Sequence, residues 1–154
     1  MVERINDAKT NVRAHFVETF SITVGAVILI MNEFLPLLKK CTPAGEPRII
    51  NVTSQTGSSS HAAATDYFLT DQMGYSVAKA ALNRVTIDYK KMHPDVAFYL
   101  ACPGYCKTFL NLYQGFKDPY DGAKIVEDLV VAEKGKYPFG FYAFENGELL
   151  EYDW

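Results

Sequence analysis

A chain of 154 residues with 49% hydrophobic, 21% charged and 14% aromatic residues is long enough to bury a core as one domain, and its balance is that of a soluble globular protein. A net charge of −3 with no basic stripe excludes a general nucleic-acid surface, so no nucleic-acid partner is expected. Cys41, Cys102 and Cys106 lack paired spacing and His15, His61 and His93 are scattered, which leads us to expect a reduced cytoplasmic protein without a structural metal.

The first residues, Met1-Val-Glu-Arg-Ile-Asn-Asp7, show no basic patch followed by an apolar core, so no signal peptide is predicted. From about Ala8 to Lys40 the pattern is helical, with Phe16, Phe20, Val24, Val27 and Met31 recurring at threes and fours. Pro36 is expected to kink this helix or to start its last stretch. The longest apolar run, Val24 to Met31, is too short to span a bilayer, so no membrane partner is expected. Cys41 to Pro47 reads as a loop, and Arg48 to Val52 as a parallel strand with apolar residues on both faces.

Residues 55–72 are rich in Ser, Ala and Thr and read as a loop. A helix is predicted from about Met73 to Met92, closed by His93-Pro94, and a second buried strand from Val96 to Cys102. Phe109 to Pro119 reads as irregular and aromatic, and Asp121 to Glu133 as a short amphipathic helix. Phe139 to Phe144, a turn at Glu145-Asn-Gly147, and Leu149 to Trp154 suggest a last strand with an aromatic tail. The aromatics Tyr137, Phe139, Phe141, Tyr142 and Phe144 are read as core.

Helix and strand alternating in this way give an α/β fold: three layers around a small parallel sheet of three strands, joined by right-handed crossovers, in a single domain spanning residues 1–154. The first strand has one open edge, which calls for a cover. A second copy of the chain is the simplest, so a homodimer is expected.

Three short stretches carry the chemistry. Tyr75 and Lys79 stand at i and i+4, so on a helix they share one face about one turn apart. An ammonium about 6 Å from a phenol favours the phenolate by ~3 kcal/mol, or ~2 pKa units, at an effective dielectric near 20. That brings a tyrosine toward use as an acid or base near neutral pH. Ser54 ends its strand, where its hydroxyl reaches the same substrate oxygen. His61 is read as a solvated loop residue, and Cys106 as a thiol activated only if a cation such as Lys107 lowers its pKa.

Asn51-Val-Thr-Ser54, Tyr75-Ser-Val-Ala-Lys79 and Pro103-Gly-Tyr-Cys-Lys-Thr108, in that order on strand, helix and strand, resemble the active-site half of the short-chain dehydrogenase/reductase family, and in particular its carbonyl-reductase-like branch. The resemblance covers about Val17 to Trp154. It implies a truncated Rossmann-like fold, with Ser54, Tyr75 and Lys79 as the catalytic set and Pro103, Gly104 and Thr108 beside the nicotinamide. Thr23 stands where the family has an asparagine that kinks the helix and holds a relay water. The segment Phe109 to Tyr120, with Tyr113 and Phe116, falls in the position of the family's substrate lid, and Tyr105 lies at its root.

The family's first four strands and its T-G-x-x-x-G-x-G turn have no counterpart before Val17, and residues 1–16 contain no glycine. The pyrophosphate of a dinucleotide rests on that turn, so no cofactor is expected on this chain alone. Three functions remain open. The first is a non-redox enzyme of isomerase, dehydratase or cyclase type acting on a carbonyl or hydroxyl small molecule. The second is part of a carbonyl reductase using NADP or NAD and completed by a partner chain. The third is a non-catalytic, dimerising relic.

Overall fold

The computed structural model describes residues 11–40, 46–65, 73–145 and 147–154. The expected loop at Cys41 to Pro47 lies outside them except for its last two residues, as do the first ten residues and the second part of the 55–72 segment. Helix α1 (Val12–Phe20) starts at Asn11, whose side chain accepts from the Ala14 amide at 3.1 Å. It passes through a π-helical segment, Ser21–Gly25, into α2 (Ala26–Lys40). The helix continues through Pro36, so the departure from α geometry falls near Thr23 rather than at the proline.

Val12 to Lys40 is thus one helical run of 29 residues, and an 18-residue window of it has a mean hydropathy of 1.8. By length and composition alone it is long and apolar enough to cross a membrane, although Val24 to Met31 read by itself was too short. Its inner stripe meets the rest of the fold: Phe16 lies beside Gly74, and Val27 and Met31 pack with Val85 and Tyr89. Its outer side carries Ile22, Leu29, Ile30, Phe34 and Leu37, all exposed.

Strand β1 (Arg48–Val52) leads through a 3-10 turn, Gln55–Gly57, into the short helix α3 (Ser59–Ala64). The Ser58 hydroxyl caps α3 by accepting from the His61 amide at 3.0 Å, so the stretch read as a loop is partly helical and His61 sits on a helix. Then come α4 (Met73–Met92), β2 (Ala97–Cys102), a 3-10 turn at Phe109–Asn111 and α5 (Pro119–Val131). Helix α5 has Pro119 in its first turn, and Asp118 accepts from the Tyr120 amide at 2.8 Å.

The chain ends in a hairpin of β3 (Phe141–Glu145) and β4 (Glu148–Glu151). Its turn includes Gly147 at φ +85°, a conformation that suits glycine.

The sheet order is β1-β2-β3-β4, with β1, β2 and β3 parallel and β4 antiparallel to β3. The expected three parallel strands are present, and the aromatic tail adds a fourth. Phe98 on β2 packs under α2 and α4 with Met31, Leu35 and Tyr89, whereas Tyr99 and Ala101 pack under α5 with Ile125 and Leu129. Helices α4 and α5 therefore cover opposite faces. Since β1 to β2 and β2 to β3 step the same way across a parallel sheet, the two crossovers have opposite hands. The expectation that both are right-handed fails, because a second helix beside α4 would leave the Tyr99, Ala101 and Tyr142 face bare.

β1 is the open edge, as expected. The Ala97 amide donates to Pro47 and the Thr53 amide to Ala101, so odd-numbered residues of β1 face β2. Arg48, Ile50 and Val52 direct their backbone groups to the edge, and Val52 is 47% exposed.

Candidate active site

Ser54 follows β1 in extended conformation and caps the Gln55–Gly57 turn, accepting from the Thr56 amide at 3.3 Å and pairing with the Thr56 hydroxyl at 3.0 Å. Tyr75 and Lys79 lie one turn apart at the start of α4. Ser54 lies near enough to Tyr75 to lower its pKa, and the Lys79 Nζ stands 5.7 Å from the centre of the Tyr75 ring. The three residues are brought together at the carboxyl end of β1, the place where open α/β sheets carry their ligands.

The electrostatics differ from expectation. Burial pushes the Tyr75 phenol above its ordinary pKa, the Ser54 hydroxyl offsets this in part, and Cys102 adds to the rise. Burial likewise holds the Lys79 ammonium below its usual value. The reason is where the lysine points: it lies over the ring and donates to the Val52 carbonyl at 2.8 Å. Both groups are therefore shifted toward their neutral forms, and the tyrosine is a protonated acid at neutral pH.

The framework behind the site rests on residues that spacing alone did not pick out. Asn83, 4% exposed, accepts from the Thr53 hydroxyl at 2.6 Å and donates to the Gly57 carbonyl at 3.2 Å. Asn51 donates to the Thr86 hydroxyl at 2.8 Å. These buried bonds fix the position of α4 along β1. Leaving one partner unpaired would cost about 1–3 kcal/mol. Gly57 touches the α4 backbone so closely that a Cβ there would stand 2.8 Å from the Lys79 backbone carbon. Polar residues at inward positions of an apolar helix face, Asn83 and Thr86, were the signal available in the sequence.

Thr23 is half-buried in the π segment that packs on α4, and no hydrogen bond of its side chain reaches Tyr75 or Lys79. At the end of β2, Pro103 is half-buried and Gly104 takes φ +82°. Thr108 and Asn111 form a reciprocal cap around the 3-10 turn. Beyond it Leu112 and Tyr113 hold φ of 54° and 60°, an uncommon left-handed pair for residues with side chains.

Tyr105 meets Phe116 edge to face at 6.0 Å, and Tyr113 meets Phe109 at 6.4 Å. Phe116 is 88% exposed, so its ring lies at the surface. The Cys106 thiol is pushed up by burial, with Lys117 rather than Lys107 opposing the shift, so it is not an activated nucleophile. Among the described residues no group of three or more His, Cys, Asp or Glu is placed to hold a metal ion.

A cavity of about 680 Å³ lies at the amino end of the strands, lined by Lys90, Val96, Phe98, Tyr137 and Phe139 among others. A second, of about 580 Å³, sits between β1 and α5. Neither touches Ser54, Tyr75 or Lys79. The expected aromatic core is present in Phe141 and Tyr142, both buried.

No protein-family model matches the chain. It is 26% identical over 159 residues to a short-chain dehydrogenase of Penicillium roqueforti (strain FM164), covering 99% of this chain and 63% of that protein. It is 27% identical over 151 residues to short-chain dehydrogenase/reductase 1 of Saponaria officinalis, covering 75% of this chain and 49% of that protein. Among solved structures it resembles the carbonyl reductase Sniffer of D. melanogaster, with a TM-score of 0.68 and 25% identity over 85% of this chain and 55% of that one. It also shares the fold of salutaridine reductase from Papaver somniferum, with a TM-score of 0.66 and 22% identity over 82% and 53% of the two chains. The chain thus spans between about half and two thirds of the length of the proteins it matches.

Proposed function

We propose that this chain, similar to short-chain dehydrogenases/reductases, uses Ser54, Tyr75 and Lys79 as a proton-transfer site for the oxygen of a carbonyl or hydroxyl small molecule. The observation that carries this is the convergence of Ser54, Tyr75 and Lys79 at the carboxyl end of β1, with the Lys79 Nζ 5.7 Å from the centre of the Tyr75 ring. The protonated phenol delivers its proton to a substrate carbonyl oxygen, and the Ser54 hydroxyl donates a second hydrogen bond to that oxygen. Lys79 stands close enough to return charge balance once the phenolate forms. Thr23 is proposed as a further catalytic residue that holds a relay water, and Pro103, Gly104, Tyr105, Thr108, Tyr113 and Phe116 as the surrounding pocket.

A nicotinamide dinucleotide does not fit whole on these residues. Lys79, Gly104 and Thr108 suit its nicotinamide end, but the ten glycines form no closely spaced run to cradle a pyrophosphate. We therefore assign this chain by itself a non-redox step: the protonated carbonyl acidifies its neighbouring C–H, whose proton passes to solvent water while the Tyr75 phenolate regains a proton from solvent, the enolisation shared by isomerases, dehydratases and cyclases. The names of the relatives favour a second reading, a carbonyl reductase site that uses NAD(P) and is completed by another polypeptide.

Two measurements test these readings. Solvent-deuterium incorporation into cyclohexanone, followed by NMR, should be accelerated by the chain and lost in Tyr75→Phe. Equal exchange with both proteins refutes the catalytic assignment. Calorimetric titration with NADPH and NADH should show no micromolar binding; such binding moves the reductase reading to first place.

A further inference from the structure

The carboxyl-terminal residues reach back across the sheet to the segment that follows Ser54. The Ser58 hydroxyl, 1% exposed, donates to the Asp153 carbonyl at 2.6 Å. The Ser60 amide donates to the Trp154 carbonyl at 2.8 Å, and the Ser60 hydroxyl donates to the same oxygen. On its own side the tail is anchored to β3: the Tyr152 amide donates to Phe141 at 2.7 Å, and the Trp154 ring stacks on Phe139 at 5.3 Å.

Ser58 adjoins Gly57, whose Cα face lies against the backbone of Lys79 and Ala80. The Gly57 amide donates to the Ser54 carbonyl at 2.9 Å. A rigid strand, a tail, two serines and a glycine therefore connect β3 to the Ser54 and Lys79 backbones. Nothing else described holds α3 to the sheet by hydrogen bonds: His61, Ala62 and Thr65 bond within its own turn.

We propose that Asp153 and Trp154 are positioning residues: their carbonyls latch Ser58 and Ser60, and so hold Gly57 against α4 with Ser54 facing Tyr75. This rests on Ser54, Tyr75 and Lys79 being the acid/base group, but its test does not require turnover. In the full chain, Trp154→Ala removes the stack that anchors the tail, and Trp154→Phe keeps a ring in its place.

Amide exchange at Ser60 should rise about tenfold in Trp154→Ala, the scale of one net hydrogen bond. The Tyr75 titration midpoint, read by carbon NMR of labelled tyrosine, should rise further, because the Ser54 hydroxyl that lowers it is drawn away. Tyr99, on the other face of the sheet, should not move, and Trp154→Phe should restore both signals. Unchanged Ser60 exchange overturns the latch, as does a freed Ser60 with an unmoved Tyr75. If Trp154→Ala does not fold, Ser60→Ala at its exposed position carries the same two readouts. A chain that shows these shifts but no proton transfer loses the functional proposal and keeps the latch.

Discussion

Gly57→Ala isolates the contact on which the site geometry depends. The added Cβ would stand 2.8 Å from the Lys79 backbone carbon and from its Cβ, and 2.9 Å from the Ala80 amide nitrogen. Ordinary contact begins at 3.4 Å, so about 0.6 Å of separation must come from the turn or from the helix. Neither yields easily, because two of the three atoms are helix backbone and Gly57 itself is buried. Overpacking of this kind costs about 1–3 kcal/mol. For a domain of this size each kcal/mol lowers the melting temperature by about 2–4 °C, so a fall of roughly 2–12 °C is expected. The turn should move away from α4 as well, weakening the Asn83 bond to the Gly57 carbonyl and drawing Ser54 from Tyr75. Circular-dichroism melts of Gly57→Ala beside Gly25→Ala provide the comparison, since a Cβ at Gly25 meets only the Phe20 carbonyl oxygen, at 3.9 Å. If both variants melt with the wild type, the close approach of the turn to α4 is refuted.

Alkaline pH should destabilise the fold. Burial, aided by Glu151, pushes the Tyr142 phenol up to about 12, and Tyr75 and Tyr99 are also raised. A raised folded-state pKa gives stability that is complete below the unfolded value near 10 and is lost as pH climbs through the folded one, so urea midpoints should drop between pH 9 and 12. A flat midpoint over that span would contradict the burial of the Tyr99 and Tyr142 phenols. Phe98→Ala, at a side chain 1% exposed between α2, α4 and β2, should cost about 3–5 kcal/mol in urea unfolding. A loss under about 1 kcal/mol would mean that the cluster repacks without a cavity. Light scattering at micromolar concentration should give twice the chain mass, a second copy covering the β1 edge; a monomer mass removes the homodimer.

Long periodic elements were legible from residue order. The α4 helix was bounded by His93-Pro94, and β1 and β2 by their apolar runs, because 3.6-residue and buried-strand patterns are local properties. Helix α3 was missed although Ser58 followed by an alanine-rich stretch is a capped-helix signal; the abundance of serine outweighed it. Leu149 to Glu151 was read as tail because its pairing with β3 is a tertiary matter. The residues of the candidate site were legible as a motif, and three of them, Ser54, Tyr75 and Lys79, lie together at the carboxyl end of β1. Their electrostatics were not, because the i, i+4 spacing fixes where Lys79 starts but not which acceptor its long side chain finds. Opposite crossover hands escaped for a like reason: the face a helix covers is decided by which neighbours lie bare.

Lys79 belongs to two structures at once. Its ammonium flanks Tyr75, and the same nitrogen occupies the Val52 carbonyl, one of the acceptors that β1 turns toward its open edge. A chemical event at this nitrogen, whether acetylation or replacement by methionine, would therefore do more than remove a cation from beside the Tyr75 phenol. It would uncover a hydrogen-bonding position on a parallel strand beside a half-exposed valine, a template on which another extended segment can align. Loss of the proposed proton transfer and gain of self-association would arrive together, and the colloidal behaviour of a Lys79 variant has to be separated from any change in turnover before either is interpreted.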